Sequence, residues 1–394
     1  MTQNQNTQRT GDRIFFLDNL RTFMIFLVVL LHAGITYESS GIPAFFWIVD
    51  DPATNDLSGL LNLVLDIFVM STIFFIAGYF TPVSLSRKTG WKFISSKFKR
   101  LMIPWLIAAF TLLPLYKVIF LYSRGLPQEH WTTYFHWTNG IWNQNWLWFL
   151  PVLFLFDLLY LAGFQAKISF PKVNLWGAVA AALIVGFMYT LSIQIFGLQG
   201  WTKTFLVDFQ NERLLVYFLV FLLGAHAYRL KIFDSKPKSK KLYLAVSSLA
   251  WIPILGYVFL VLVAILKPGT RIISAFGDAV LMQATFCLSL LSMIYLLVQT
   301  FRYYFNRQGG LLRALNDSSY GVYIVHVVVL GGIALVLLNV TLPSLLKHLT
   351  LTFTTYAVSI ILVLLYKRSL SPVSRSWSKP KTTAEPLTQR EMAG

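Results

Sequence analysis

Charge is the scarcest ingredient of this 394-residue chain: Asp, Glu, Lys and Arg together supply 12% of it. A soluble globular domain carries roughly 25%, and half that level cannot coat a water-facing surface of this size. Acid is scarcer than base, with 16 Asp+Glu against 33 Lys+Arg and a net charge of +17. There is one cysteine, Cys287, and it sits in an apolar run, which excludes a disulfide framework within the chain. No Walker A loop, HExxH, GxSxG or Cys/His metal spacing occurs. Internal repeats are missing too. These absences argue against a soluble enzyme, a disordered chain and a secreted scaffold. No metal, bound cofactor or nucleic-acid partner is expected.

What the chain has is apolar length. Hydrophobic residues make up 56% of it, and its mean hydropathy is +0.62. A membrane-spanning helix needs about 20 mostly apolar residues. Ten segments qualify: 14–36, 59–81, 101–122, 146–164, 174–196, 214–230, 242–266, 275–300, 318–340 and 345–366. The expected fold is an all-α polytopic membrane protein of about ten transmembrane helices. Residues 1–13 form a polar N-terminal tail, 14–366 the membrane domain and 367–394 a basic C-terminal tail. The first segment reads as a retained helix, too long for a signal-peptide core and without a clear cleavage site. Trp131, Trp137 and Trp142, with Trp146 and Trp148, point to an interfacial stretch between the third and fourth segments.

Lysine and arginine are enriched in cytoplasmic loops relative to translocated ones. With the N-terminus inside, 25 of the 33 basic residues fall on the inner side, and the bias alternates loop by loop. Both termini are therefore expected in the cytoplasm, and the charge of +17 becomes mostly a topology signal.

An ionisable group at membrane depth is costly unless paired or hydrated, so each is a functional candidate. The candidates are Asp18, Arg21, His32, Asp66, Lys117, Asp157, His226, Asp278 and His326. Arg21 and His32 lie eleven residues apart, close to three full turns, so they share one face about 16 Å apart along the axis. Asp18 is one turn below Arg21 and can pair with it. This stripe should line a cavity rather than face lipid. Before the third segment, Lys97 and Arg100 share a face with Lys88, Lys92 and Lys99 nearby. A helix N-terminus also favours anions, so a phosphate-rich ligand such as a coenzyme A thioester would suit this cluster. In the ninth segment Val322, Tyr323 and His326 share a face; a packed, hydrogen-bonded histidine is the plainer account there. Asp66, Asp157 and Asp278 read as partners of Lys117 or of buried amides. A secondary transporter using Asp66, Lys117 and Asp157 stays open as a different class, although no duplicated halves are seen. A scaffold with inert polar packing stays open too.

The segment FLDNLRTFMIFLVVLLHAGITY resembles the first helix of the acyltransferase-3 family of integral membrane acyltransferases, whose signature is Arg, ten residues, His: here Arg21 and His32. FVMSTIFFIAGYF resembles the family's aromatic segment ending in Gly-x-Phe. Lys97-x-x-Arg100 stands where the family usually has Arg-x-x-Arg, and lysine loses the bidentate fork for phosphate. WLWFLPVLFLFD and SYGVYIVH are similar to two further family segments, and the five fall in order along residues 14–330. The branch that succinylates periplasmic glucans looks most similar. The resemblance implies transfer of an acetyl or succinyl group, not an aminoacyl group, from cytoplasmic acyl-CoA as co-substrate to a carbohydrate hydroxyl at the outer face of a bacterial inner membrane. The partners implied are the bilayer, the glycan acceptor and glycan-synthesis proteins. His32 would act as general base, with Arg21, Asp18 and Glu38 beside it, Glu38 orienting the imidazole. Lys97, Arg100 and Lys99 would bind the donor. Tyr320, Tyr323, His326, Asp66 and Trp148 would complete the pocket.

Overall fold

The computed structural model describes residues 14–40, 46–130, 132–133, 144–166, 173–234 and 240–376, with side chains through 369. Trp131, Trp137, Trp142, the N-terminal tail and most of the C-terminal tail lie outside the described residues. In hydrocarbon, backbone N–H and C=O groups must be satisfied within the segment, so apolar runs become helices. All ten expected segments are helical. In chain order they are α1 (Phe15–Ile35), α2 (Asp56–Ser86), α3 (Gly90–Ser123), α4 (Phe149–Gln165), α5 (Leu175–Ile195), α6 (Leu214–Arg229), the pair α7 (Lys241–Leu249) and α8 (Trp251–Leu266), α9 (Ala275–Tyr304), α10 (Gly310–Leu338) and α11 (Ser344–Ser376). A 3₁₀ turn, Asn145–Trp148, leads into α4. Among the described residues nine spans are long and apolar enough to cross a membrane, α7 and α8 together counting as one. The tenth, α6, has 16 residues. The protein is an all-α polytopic membrane protein.

Side-chain caps set several helix starts. Asn55, Asn174 and Ser274 each accept from the backbone N–H three residues on, in Ser58, Gly177 and Gly277. The helices α1 and α2 form the interior of the bundle, and α1 touches α2, α9, α10 and α11. By contrast α5, α8 and α11 expose large apolar side chains such as Ile184, Ile252 and Ile361, as lipid-facing helices must.

The most extensive helix pair is α2 with α6, and two glycines allow it. A Cβ on Gly78 would sit 1.9 Å from the Phe221 carbonyl oxygen, and one on Gly224 would sit 2.1 Å from that of Phe75. Small residues let helix backbones approach closely where the hydrophobic effect gives no drive between spans.

The two ends of the bundle differ. The start of α1 meets the α9–α10 connection, where Asn19 Nδ2 donates to the carbonyls of Phe305 at 2.7 Å and Arg307 at 2.9 Å. The last turns of α11 return to this end, with Lys367 Nζ donating to the Asp317 carbonyl. Lys92, Lys97, Lys99 and Arg100, at the start of α3, lie here as well, so we call it the basic end. The opposite end carries a two-stranded hairpin, Trp201–Thr202 with Phe209–Gln210. Asp208 in that hairpin accepts from the backbone N–H of Gln144 at 3.0 Å and of Thr204 at 2.9 Å. Burial pushes its carboxyl above the ordinary value, and the two N–H donors pull it back in part.

Candidate active site

At the basic end a cavity of about 480 Å³ opens between α1, α2, α3, α4 and α10. Asp18, Arg21 and Ile25 come from α1, one turn apart. Lys97 and Arg100 come from α3, and Asn316, Asp317, Tyr320 and Tyr323 from α10. Ile73, Ile76, Phe149 and Leu153 supply an apolar wall. The site thus pairs a polar, mainly basic rim with a greasy interior.

Arg21 is fixed on two sides. Its guanidinium lies 3.2 Å from the Asp18 carboxylate and 3.5 Å from the Asn316 carbonyl. Behind it runs a buried amide network: Asn316 Nδ2 donates to Asn19 Oδ1 at 2.8 Å, and Thr22 Oγ1 donates to Asn316 Oδ1 at 2.6 Å. Asn19, Thr22 and Asn316 escaped the sequence reading because they carry no charge. The signal was there in the run of polar residues Asp18-Asn19 and Arg21-Thr22 at the mouth of an otherwise apolar span.

Lys97 and Arg100 both line the cavity, but they are not equivalent. Lys97 Nζ sits 2.8 Å from Asp157 Oδ1 and 3.3 Å from Thr81 Oγ1, which itself donates to the same carboxylate oxygen at 2.8 Å. Asp157, expected beside Lys117 or an amide, is instead the counter-ion of Lys97. Arg100 is exposed and also lines an open groove of about 540 Å³ with Trp91, Lys92, Ser95, Ser96 and Lys99. Lys99 faces that groove and is absent from the cavity lining. Tyr320 joins α10 to α3 by donating to the Arg100 carbonyl at 2.6 Å.

His32 lies outside this cavity, toward the opposite end of α1. Its Nδ1 is 2.7 Å from Nε2 of His326, and the two rings are nearly parallel, inclined by 11°. His326 is fully buried, and its Nδ1 is 2.7 Å from the Tyr323 carbonyl. Tyr323 donates to the Trp146 carbonyl, and the Trp146 indole donates to the Ile324 carbonyl at 2.9 Å. Trp47 covers His32, ring centres 5.2 Å apart, held by its indole N–H on Thr36 Oγ1 at 3.0 Å. Tyr323 borders the cavity and precedes His326 by one turn, so α10 connects the two regions.

Three expected site residues belong elsewhere. Glu38 accepts from Asn62 Nδ2 and Ser40 Oγ, each at 3.1 Å, so the partner of the His32 ring is His326 rather than Glu38. Asp66 pairs with Arg213 at 2.8 Å and does not line the cavity. Trp148 packs among Trp201, Tyr217 and Phe74, also away from it. The remaining membrane charges have separate partners. Lys117 is 3.9 Å from Glu129, His226 meets the Val173 carbonyl at 3.0 Å, and Asp278 accepts from the backbone N–H groups of Ile272 and Ile273 at 3.0 Å. Asp66, Lys117 and Asp157 therefore do not form one chain of charges. No cluster of three or more metal-ligating side chains occurs among the described residues.

Comparison with known proteins gives one result. The family model described as an acyltransferase domain matches residues 14–365, while no curated protein and no solved structure matches. The matched span takes in every residue of the cavity and of the histidine pair: the chain belongs to the acyltransferase-3 family and is a membrane acyltransferase.

Proposed function

We propose that this acyltransferase takes an acetyl or succinyl group from acyl-CoA on the cytoplasmic side of a bacterial inner membrane and delivers it to a carbohydrate hydroxyl at the other face. The observation that carries the reading is the cavity at the basic end, which brings Arg21 of α1 and Arg100 of α3 to the mouth of an apolar pocket. Arg100 reaches both the cavity and the outer groove, so it suits the phosphates of the donor, with Lys92 and Lys99 beside it. The apolar wall suits the pantetheine arm and acyl chain. Arg21, oriented by Asp18, offers a fixed positive charge that holds and orients the donor at the cavity mouth, while the thioester extends inward toward His32.

His32 is the general base in this reading. Its imidazole takes the proton of the attacking hydroxyl as the C–O bond forms, and returns that proton to the sulfur as the C–S bond breaks. A periplasmic glucan is the acceptor class that the sequence resemblance favours, and proteins of glycan synthesis are the partners that would present it.

The test uses purified protein in detergent with labelled acetyl-CoA and succinyl-CoA, following free thiol with and without candidate glycans. Thiol release that requires acceptor, and that falls by about 10²–10⁴-fold in H32A, supports the reading. Undiminished transfer by H32A overturns the role of His32. Solute accumulation in sealed vesicles with no thiol release overturns the reaction itself.

A further inference from the structure

We propose that His326 is a positioning residue that sets the tautomer of His32. The argument starts from the Tyr323 carbonyl, which can only accept a hydrogen bond. At 2.7 Å from it, His326 Nδ1 must carry the proton. In the neutral ring Nε2 is then a bare lone pair. That lone pair faces His32 Nδ1 at 2.7 Å, so His32 donates from Nδ1, and the free lone pair of its neutral ring falls on Nε2. A carbonyl on α10 thus dictates, through two rings, which nitrogen of a ring on α1 can accept a proton.

This deepens the base role of His32 and rests on it. When His32 Nε2 takes the acceptor's proton, the ring becomes an imidazolium with Nδ1–H still pointed at the lone pair of His326. The charge is stabilised where it forms, and no heavy atom has to move. The proton then leaves from Nε2 to the departing thiolate, which restores the starting tautomer. Without His326 the neutral His32 ring is free to place its proton on Nε2 instead, and that form cannot act as a base at that nitrogen. The remaining contacts serve the same end: Trp47 covers one ring, and the Tyr323–Trp146–Ile324 contacts hold the turn that presents the carbonyl.

The experiment combines kinetics with the tautomer itself. Histidine-¹⁵N-labelled protein in lipid is measured by solid-state NMR, with the His32 signals assigned by difference from H32Q. The expected wild-type spectrum has His32 protonated at Nδ1. H326L is expected to shift the signal toward the Nε2–H form and to lower kcat by about 10²–10⁴-fold, with KM for acyl-CoA nearly unchanged. H326Q, whose side-chain carbonyl can accept from His32 Nδ1–H, is expected to recover most of that loss and the wild-type spectrum. A wild-type spectrum with His32 protonated at Nε2 overturns the assignment, and so does full kcat in H326L. The wild-type spectrum needs no variant of His326 to fold. If H32Q is inactive while H326L is fully active, the positioning role fails alone. If H32Q is active, the base reading fails first.

Discussion

Lys97 sits three residues before Arg100 on the same helix face, yet the two side chains meet different chemistry. Lys97 is held 2.8 Å from an Asp157 side chain that is 1% exposed, with Thr81 on the same oxygen. Its charge is therefore largely committed to a structural partner, and Arg100 is left as the exposed cation at the cavity mouth. Breaking a buried pair from one side costs about 3–5 kcal/mol, because the other charge stays buried without compensation, whereas replacing both with apolar groups is often neutral. K97M is thus expected to lower the melting temperature in detergent sharply, and K97M/D157L to restore much of it. Equal melting temperatures for the single and double variants would contradict the pair's structural role. R100A should leave the melting temperature almost unchanged and raise KM for acyl-CoA, which thermal-shift and initial-rate measurements separate. The spacing rule placed Lys97 and Arg100 on one face correctly, but a face does not name a partner. Asp157 lies 60 residues from Lys97, and His326 lies 294 from His32. Such pairs come from how helices are arranged in the membrane, which a period of 3.6 residues does not encode.

The helix α2 shows the same division between what a segment carries and what its neighbours impose. Its apolar run was plain in the sequence at 59–81, and Asp56–Ser86 is helical. The extra turns are amphipathic ends with mixed polarity, which a search for unbroken apolar length passes over. The start of α3 repeats this: Gly90–Arg100 is helical but too rich in lysine and serine to read as a span. Gly78 stood out only as part of Gly-x-Phe, and its role becomes visible with α6 in place. Because a Cβ there would lie 1.9 Å from a backbone oxygen, the two helices must separate or slide to admit a methyl group. Overpacking of this kind typically costs about 1–3 kcal/mol. G78A is expected to lower thermal stability, and G224A to do the same at the same crossing. Since either methyl group forces the same separation, the double variant should cost clearly less than the sum of the two. Strict additivity would show that the glycines act at independent contacts. Arg21 and the cavity should feel this change weakly, so acyl-CoA KM is expected to move less than stability.

At the scale of the whole molecule, the arrangement ties chemistry to orientation. The start of α1, the start of α3 and the last turns of α11 share the basic end, and the cavity opens there. His32 and His326 sit deeper, toward the end that carries the hairpin. A donor bound at Arg100 and an acceptor proton taken by His32 would therefore approach from opposite faces, so the side on which the basic end lies decides which substrate comes from the cytoplasm. The excess of basic residues at that end predicts the cytoplasm. Cys287 is buried, so C287S gives a background free of competing thiols in which single cysteines report their side. S96C, in the open groove at the basic end, is expected to react with a membrane-impermeant maleimide only in inverted vesicles. Q128C, in the exposed connection after α3, is expected to react only in right-side-out membranes. The reverse pattern would place the cavity outside and require a donor other than cytoplasmic acyl-CoA, while leaving the His32–His326 geometry intact. Labelling of both positions from one side would contradict the span count of α3 itself. The orientation is thus tested independently of the reaction, and the two together determine whether the bundle carries an acyl group across the membrane or transfers it on one side.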